Sequence, residues 1–181
     1  MKSIFPLIFF LILLYSCSSD TKKQKGEVTK ANHKEISTEE LGDLFNHYHA
    51  SPVSQKEMDE NALIEYISDK GYPVTRTENG VFIHTIAEGQ GALIQRGQPL
   101  QAHYIGKFLN GPTFQSSYDK GRPMAFHQGQ MVSGWNEALL HMRIGQKALL
   151  FIPSHLAYGE NGLGDVIPPN ANLVFEIEII E

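Results

Sequence analysis

Around Val74 the hydrophobic period of the chain changes. Apolar residues recur at helical spacing before it and alternate after it. Only one later stretch, Gly134 to Met142, returns to the helical period: Trp135, Leu139 and Met142 fall at i, i+4 and i+7. A single short amphipathic helix among alternating runs must bury its stripe against the sheet those runs form. The fold class is therefore α+β: a curved antiparallel β-sheet wrapped around one short α-helix, preceded by short N-terminal helices. No strand-helix alternation supports a doubly wound sheet.

The N-terminal helices carry their own start signals. Ser37 with Glu40, and Ser54 with Glu57, have the spacing of capping boxes. Leu41, Leu44, Phe45 and Tyr48 are expected along one face of the first helix. Met58, Ala62, Tyr66 and Ile67 are expected along one side of the second, which Gly71 and Pro73 close. Two such helices cannot make a core alone. They must pack on the following domain or on a second copy, which leaves a homodimer through these helices open. His47 and His49 have no companion ligands nearby, so they read as an exposed helical face and no metal site is expected.

In the alternating region, Val81 to Ile86 follows the turn dipeptide Asn79-Gly80 and reads as a strand. Leu100, Ala102, Tyr104, Gly106 and Phe108 share one side of the next, with His103 and Lys107 opposite. After the Trp135 helix comes an apolar extended run, Gln146 to Pro153. A long loop rich in glycine and proline follows, Ala157 to Pro169. The last strand has Leu173, Phe175, Ile177 and Ile179 on one face and Glu176 and Glu178 on the other.

The start of the chain has a different character. Lys2 precedes an apolar run from Ile4 to Tyr15 that is shorter than the ~20 residues needed to span a bilayer but suits a secretory signal. Leu14-Tyr15-Ser16-Cys17 resembles a bacterial lipobox, with Tyr15 where a small residue is usual. The resemblance implies removal of residues 1–16 and a lipidated Cys17, followed by a polar tether over residues 17–35. The competing reading is an ordinary signal peptide with an incidental cysteine. Ser18 after the cysteine resembles an outer-membrane sorting signal, so the expected location is lipid-anchored to the cell envelope, at the outer membrane facing the periplasm. The formal net charge of −5 and the absence of a dense basic face in the domain argue against nucleic acid as a partner.

No nucleophile elbow, phosphate loop, cysteine–histidine pair or metal-ligand cluster is present. What remains is a set of aromatic residues on segments able to converge: Tyr104, Phe114, Phe126, Trp135, Tyr158 and Phe175. Such a lining suits an apolar ligand or a proline ring, and composition alone does not separate it from an ordinary aromatic core. The order of motifs does. His103-Tyr104-Ile105-Gly106, then Asn110-Gly111 with Phe114 and Ser116-Ser117, then Pro123 with Phe126 and Gly129, precede Gly134-Trp135. Gly145-Gln146-Lys147-Ala148, Ala157-Tyr158-Gly159, Ile167-Pro168-Pro169 and Leu173-Val174-Phe175 follow. This succession resembles the FKBP-type peptidyl-prolyl cis-trans isomerase domain, with residues 36–72 as a helical segment before it and residues 73–181 as the domain.

The resemblance implies an enzyme without a cofactor that acts on proline-containing polypeptides and assists folding outside the cytoplasm. It places Trp135 beneath the substrate's proline ring, with Tyr104, Phe126 and Phe175 as walls. Val132 and Ile167 supply backbone groups, and Tyr158 offers its hydroxyl to a substrate carbonyl. Phe114 and Gln115 occupy the motif after Asn110-Gly111, where Gln115 replaces the family's usual aspartate. Met124 and Met131 stand where the family commonly has an aromatic residue and a valine. The alternative function is a prolyl-peptide-binding chaperone or scaffold with little turnover, to which the adaptable Met124 and Met131 side chains are suited.

Overall fold

A computed structural model describes residues 36–180. The expected signal segment, the lipidated Cys17 and the tether lie outside the described residues. The elements are α1 (Thr38–Phe45), α2 (Gln55–Lys70), β1 (Thr75–Arg76), β2 (Phe82–Ala87), β3 (Pro99–Phe108), β4 (Thr113–Ser116), β5 (Met124–His127), α3 (Ser133–Leu139), β6 (Lys147–Ile152) and β7 (Leu173–Ile179). The seven strands form one antiparallel sheet in the order β1-β2-β6-β7-β3-β4, with β5 also paired to β3. β4 and β5 share one edge of β3 in tandem: Ile105 pairs with Ser116, and Leu100 with Phe126.

Alternation along the strands sorts side chains into two cores on opposite faces of the sheet. Ala148, Leu150 and Ile152 of β6 and Leu173, Phe175, Ile177 and Ile179 of β7 pack with Trp135, Ala138 and Leu139 of α3. Their neighbours Phe151 and Val174, with Phe82 of β2, pack on the other face against Leu44 of α1 and Leu63, Ile64 and Ile67 of α2. Burying each of the leucine, isoleucine and valine side chains among them contributes roughly 1.5–3 kcal/mol. The N-terminal helices thus cover the back of their own sheet, and β7 is buried on both faces at Val174.

Both capping boxes form, with Glu40 accepting from the Ser37 amide at 2.8 Å and Glu57 from the Ser54 amide at 3.2 Å. Gly71, at φ 66°, ends α2 in the left-handed region. The expected helix faces need correction. On α1 only Leu44 is fully buried; Phe45 and Tyr48 are exposed, because the helix ends at Phe45 and Tyr48 turns away to donate to Glu65 at 2.9 Å. On α2 Met58 is exposed, and the buried face is Leu63, Ile64 and Ile67 with the polar residues Asp59, Glu60 and Asn61. Asp59 meets Ser154, Glu60 meets Arg76 and Asn61 meets the His49 main chain, and these partners set the rotation of the helix. His47 and His49 lie beyond α1 rather than on it, and His49 Nε2 sits 3.2 Å from Glu60. The β2 register shifts between Thr85 and Ala87, leaving Ile86 exposed.

Candidate active site

Trp135 occupies the third position of α3 and is 1% exposed. Its indole meets three rings edge to face: Phe175 at 5.3 Å and 90°, Tyr104 at 5.5 Å and 86°, and Phe126 at 5.8 Å and 68°. Such arrangements contribute about 0.5–1.5 kcal/mol per pair beyond burial. The indole Nε1–H has no acceptor among the described residues, so apolar contact and ring edges alone hold the side chain. Phe114 extends the cluster, meeting Phe175 at 5.6 Å and 89°.

Each ring is placed by its own element. Tyr104 and Phe175 face the same side of β3 and β7, and Phe126 arrives from β5. Ser117 fixes the backbone at Tyr104: its hydroxyl accepts from the Tyr104 amide at 2.9 Å, and its amide donates to the Tyr104 carbonyl at 3.0 Å. Gly106 makes room for two rings, since a Cβ there would lie 2.6 Å from Phe114 Cζ and 2.9 Å from Phe175 Cε1.

Met124, Met131, Val132 and Tyr158 are partly buried and pack against this core, while Ile167 belongs to it. Gln115, next to Phe114 on β4, is exposed. Burial pushes the Tyr104 phenol above its ordinary value, and the Tyr158 phenol acts in the same direction. Tyr104 is therefore a protonated donor at neutral pH.

Sequence reasoning missed Asn136 and Gln128. Val132 precedes α3 without a side chain able to cap it, and Asn136 reaches back instead. Its Oδ1 accepts from the Gly129 and Met131 amides at 3.0 and 3.1 Å, and its Nδ2 donates to the Met131 carbonyl at 2.5 Å. Gln128, buried, donates to the Asn136 carbonyl at 2.9 Å. Together they pin the Met131–Val132 segment to the helix that carries Trp135. An amide in the first turn of an otherwise uncapped helix was the available signal.

Grooves adjoin the rings of the cluster. One, of about 240 Å³, is lined by Tyr104, Met124, Lys120 and Arg122. Another, of about 360 Å³, is lined by Leu100, Phe126 and Gln130. A third, of about 490 Å³, is mainly apolar and lined by Phe108, Pro112, Pro168 and Ala171. The arrangement offers an apolar floor and few polar groups. Among the described residues no three His, Cys, Asp or Glu side chains cluster to hold a metal.

Comparison with known proteins gives the same outline. The family model for FKBP-type peptidyl-prolyl cis-trans isomerase matches residues 91–180. The FKBP-type 22 kDa peptidyl-prolyl cis-trans isomerase of Escherichia coli is 41% identical over 120 residues, which is 65% of this chain and 58% of that protein. The chain therefore spans little more than half the length of that relative. FK506-binding protein 1A of Neurospora crassa is 44% identical over 105 residues, 56% of this chain and 88% of that protein. Among solved structures, the peptidyl-prolyl cis-trans isomerase from Pseudomonas syringae pv. tomato superposes with a TM-score of 0.62 at 30% identity, covering 74% of this chain and 97% of that one. FkpA from Escherichia coli gives a TM-score of 0.63 at 26% identity, over 79% and 62%.

Proposed function

The chain belongs to the FKBP-type peptidyl-prolyl cis-trans isomerases, and from that membership we propose that it catalyses cis-trans isomerisation of X-Pro bonds in polypeptides at the Trp135 site. The observation that carries this reading is the convergence of Tyr104, Phe126 and Phe175 on Trp135, an aromatic seat of the kind a proline ring fills.

The chemistry needs no nucleophile. An X-Pro bond turns slowly because twisting the amide breaks its resonance, at a cost of ~18–20 kcal/mol. The twisted amide is less polar than the planar one, so a water-poor aromatic seat favours it. Tyr158, at the rim, donates to a substrate carbonyl and holds the chain on one side of the twisting bond. Val132 and Ile167 contribute backbone groups, and Met124 and Met131 adapt to the residues around the proline. Gln115 supplies a neutral dipole in place of a carboxylate. The grooves beside Tyr104 and Phe126 accommodate the flanking residues of a polypeptide.

Location follows from the sequence before the described residues. The short apolar run and the Leu14-Tyr15-Ser16-Cys17 pattern support export, lipid attachment at Cys17 and an outer-membrane position facing the periplasm. Several acyl chains on one cysteine, at about 0.8 kcal/mol per buried CH₂, anchor a protein firmly. There the enzyme would speed slow prolyl steps in the folding of exported proteins. Leu44 of α1 and Leu63, Ile64 and Ile67 of α2 are occupied by the chain's own sheet, so a homodimer through these helices would use their exposed residues Phe45 and Met58 instead.

A Xaa-Pro peptide assay with purified protein tests the activity. Acceleration over the uncatalysed rate is expected at micromolar protein. Its absence from folded protein, with aggregation still suppressed, would replace catalysis with peptide binding. A Cys17→Ala variant is expected to leave the membrane fraction.

A further inference from the structure

The loop from β6 to β7 carries Tyr158 and Ile167, and both of its ends meet one residue from outside the isomerase fold, the first through its side chain and the second through its main-chain carbonyl. Asp59, on α2, is 2% exposed. Its Oδ2 accepts from the Ser154 hydroxyl at 2.5 Å and from the Ser154 amide at 3.1 Å. Ser154, 1% exposed, is the second residue after β6 and opens the short 3₁₀ turn Ser154–Leu156. The same amide also donates to Asn172 Oδ1 at 2.9 Å, and Asn172 Nδ2 donates to the Asp59 carbonyl at 3.3 Å. Asn172 is the residue before β7. Gln55 Nε2 donates to Asp59 Oδ1 at 2.7 Å and orients the carboxylate.

Pairing of Ile152 with Leu173 already brings the ends of the loop together. It does not set the direction in which the chain leaves β6. That direction is set at Ser154, where Asp59 takes both the amide and the hydroxyl, and Tyr158 follows one turn later. A buried carboxylate with this many donors is spent on geometry; the apolar packing of the helix is made by Leu63, Ile64 and Ile67 and does not require it.

We infer that Asp59 is a positioning residue for the site: from the N-terminal helical segment it fixes the base of the loop that presents Tyr158 and Ile167 to the substrate. The helices ahead of the domain are then part of the working enzyme. The functional half of this statement rests on Tyr158 and Ile167 contacting the substrate; the structural half does not.

Hydrogen–deuterium exchange on the full chain separates the two. The reporters are the Ala157, Leu163, Ile167 and Asn170 amides, whose hydrogen bonds hold the loop together. Asp59→Ala is expected to speed their exchange at least tenfold while β3 and β7 amides change only with global stability. Ile64→Val loosens the same helix without touching the loop and supplies the comparison. Asp59→Asn should restore protection, because its single amide oxygen can take the place of Oδ2 and accept from Ser154 while the Gln55 amide turns over to accept from the new NH₂. In the peptide assay Asp59→Ala should raise KM severalfold more than Ile64→Val, with Asp59→Asn near the parent. Should Asp59→Ala fail to fold, Ser154→Ala, which removes only the hydroxyl donor, is read in the same way. Loop exchange no faster than in Ile64→Val at matched stability would overturn the inference. Faster loop exchange from a parent protein without isomerase activity would leave the positioning intact and remove the function instead.

Discussion

Gly134 lies so close to Ile152 that a Cβ at Gly134 would come within 2.4 Å of Ile152 Cγ2. This contact sets how deeply α3, and with it Trp135, sinks into the sheet. Gly134→Ala brings two opposed effects. Alanine gains about 1 kcal/mol in helix propensity over glycine. Overpacking a buried β-branched neighbour costs typically 1–3 kcal/mol. The clash is with the inner branch of a fully buried side chain, so overpacking wins. The variant is expected to unfold at lower urea concentration with an unchanged slope, followed by the fluorescence of the single tryptophan. Its isomerase activity should also fall, because the floor of the site moves outward.

Tyr158→Phe keeps the ring and removes the hydroxyl. Tyr158 is partly buried at the rim, so stability should stay within about 0.5 kcal/mol of the parent. Loss of one hydrogen bond to the reacting chain, about 1–1.5 kcal/mol, corresponds to roughly a tenfold drop in kcat/KM. An unchanged kcat/KM would remove Tyr158 from the catalytic set.

Much of this arrangement was legible in the sequence, for reasons that also explain the remainder. Phe175 to Ile179 alternates cleanly because α3 and its surroundings demand an apolar residue at every second position of that face, and Val174 breaks the alternation because α1 and α2 cover the other face there. The capping boxes at Ser37 and Ser54 are local and depend on residues three apart. Trp135 and the rings around it follow from an ordered set of motifs. Asp59 could not be read in this way, since a carboxylate on a helix ordinarily marks a solvated face and its partner Ser154 is 95 residues distant. The same limit hid the buried face of α2, whose rotation is set by partners of Asp59, Glu60 and Asn61. Ile86 fits an alternating strand and is exposed only because the β2–β6 register shifts beside it.

Glu60 makes stability depend on pH. Burial alone would raise its carboxyl, but hydrogen bonds from Arg76 and His49 and their charges outweigh it and hold the group below its ordinary value. Arg76 Nε and Nη2 each lie 2.7 Å from Glu60 Oε1. A carboxyl more acidic in the folded than in the unfolded state contributes stability above the unfolded value, and that contribution is lost as pH falls through the folded one. Glu60→Gln should therefore be less stable than the parent at pH 7. The gap is expected to narrow as pH falls below the ordinary glutamate value, about 4.3, and to close once the folded-state carboxyl is protonated. Urea titrations of both proteins at several pH values measure it; a gap independent of pH would mean that packing, not charge, is lost.

Gln115→Asp returns a carboxylate to the position beside Phe114. Gln115 is exposed on β4, so the change should leave stability within about 0.5 kcal/mol. If the twisting amide is stabilised by a charge at this point, the aspartate should raise kcat rather than lower KM, since the interaction strengthens only as the amide distorts. A gain of up to roughly tenfold corresponds to about 1.4 kcal/mol, the scale of one partly solvated electrostatic contact. The gain should also shrink with added salt, because an exposed carboxylate is screened over ~10 Å at 0.1 M. Peptide kinetics at low and high ionic strength separate this from repacking of Phe114, which would change kcat/KM without salt dependence. A kcat equal to the parent's at both would show that a neutral amide serves this site as well as a carboxylate does.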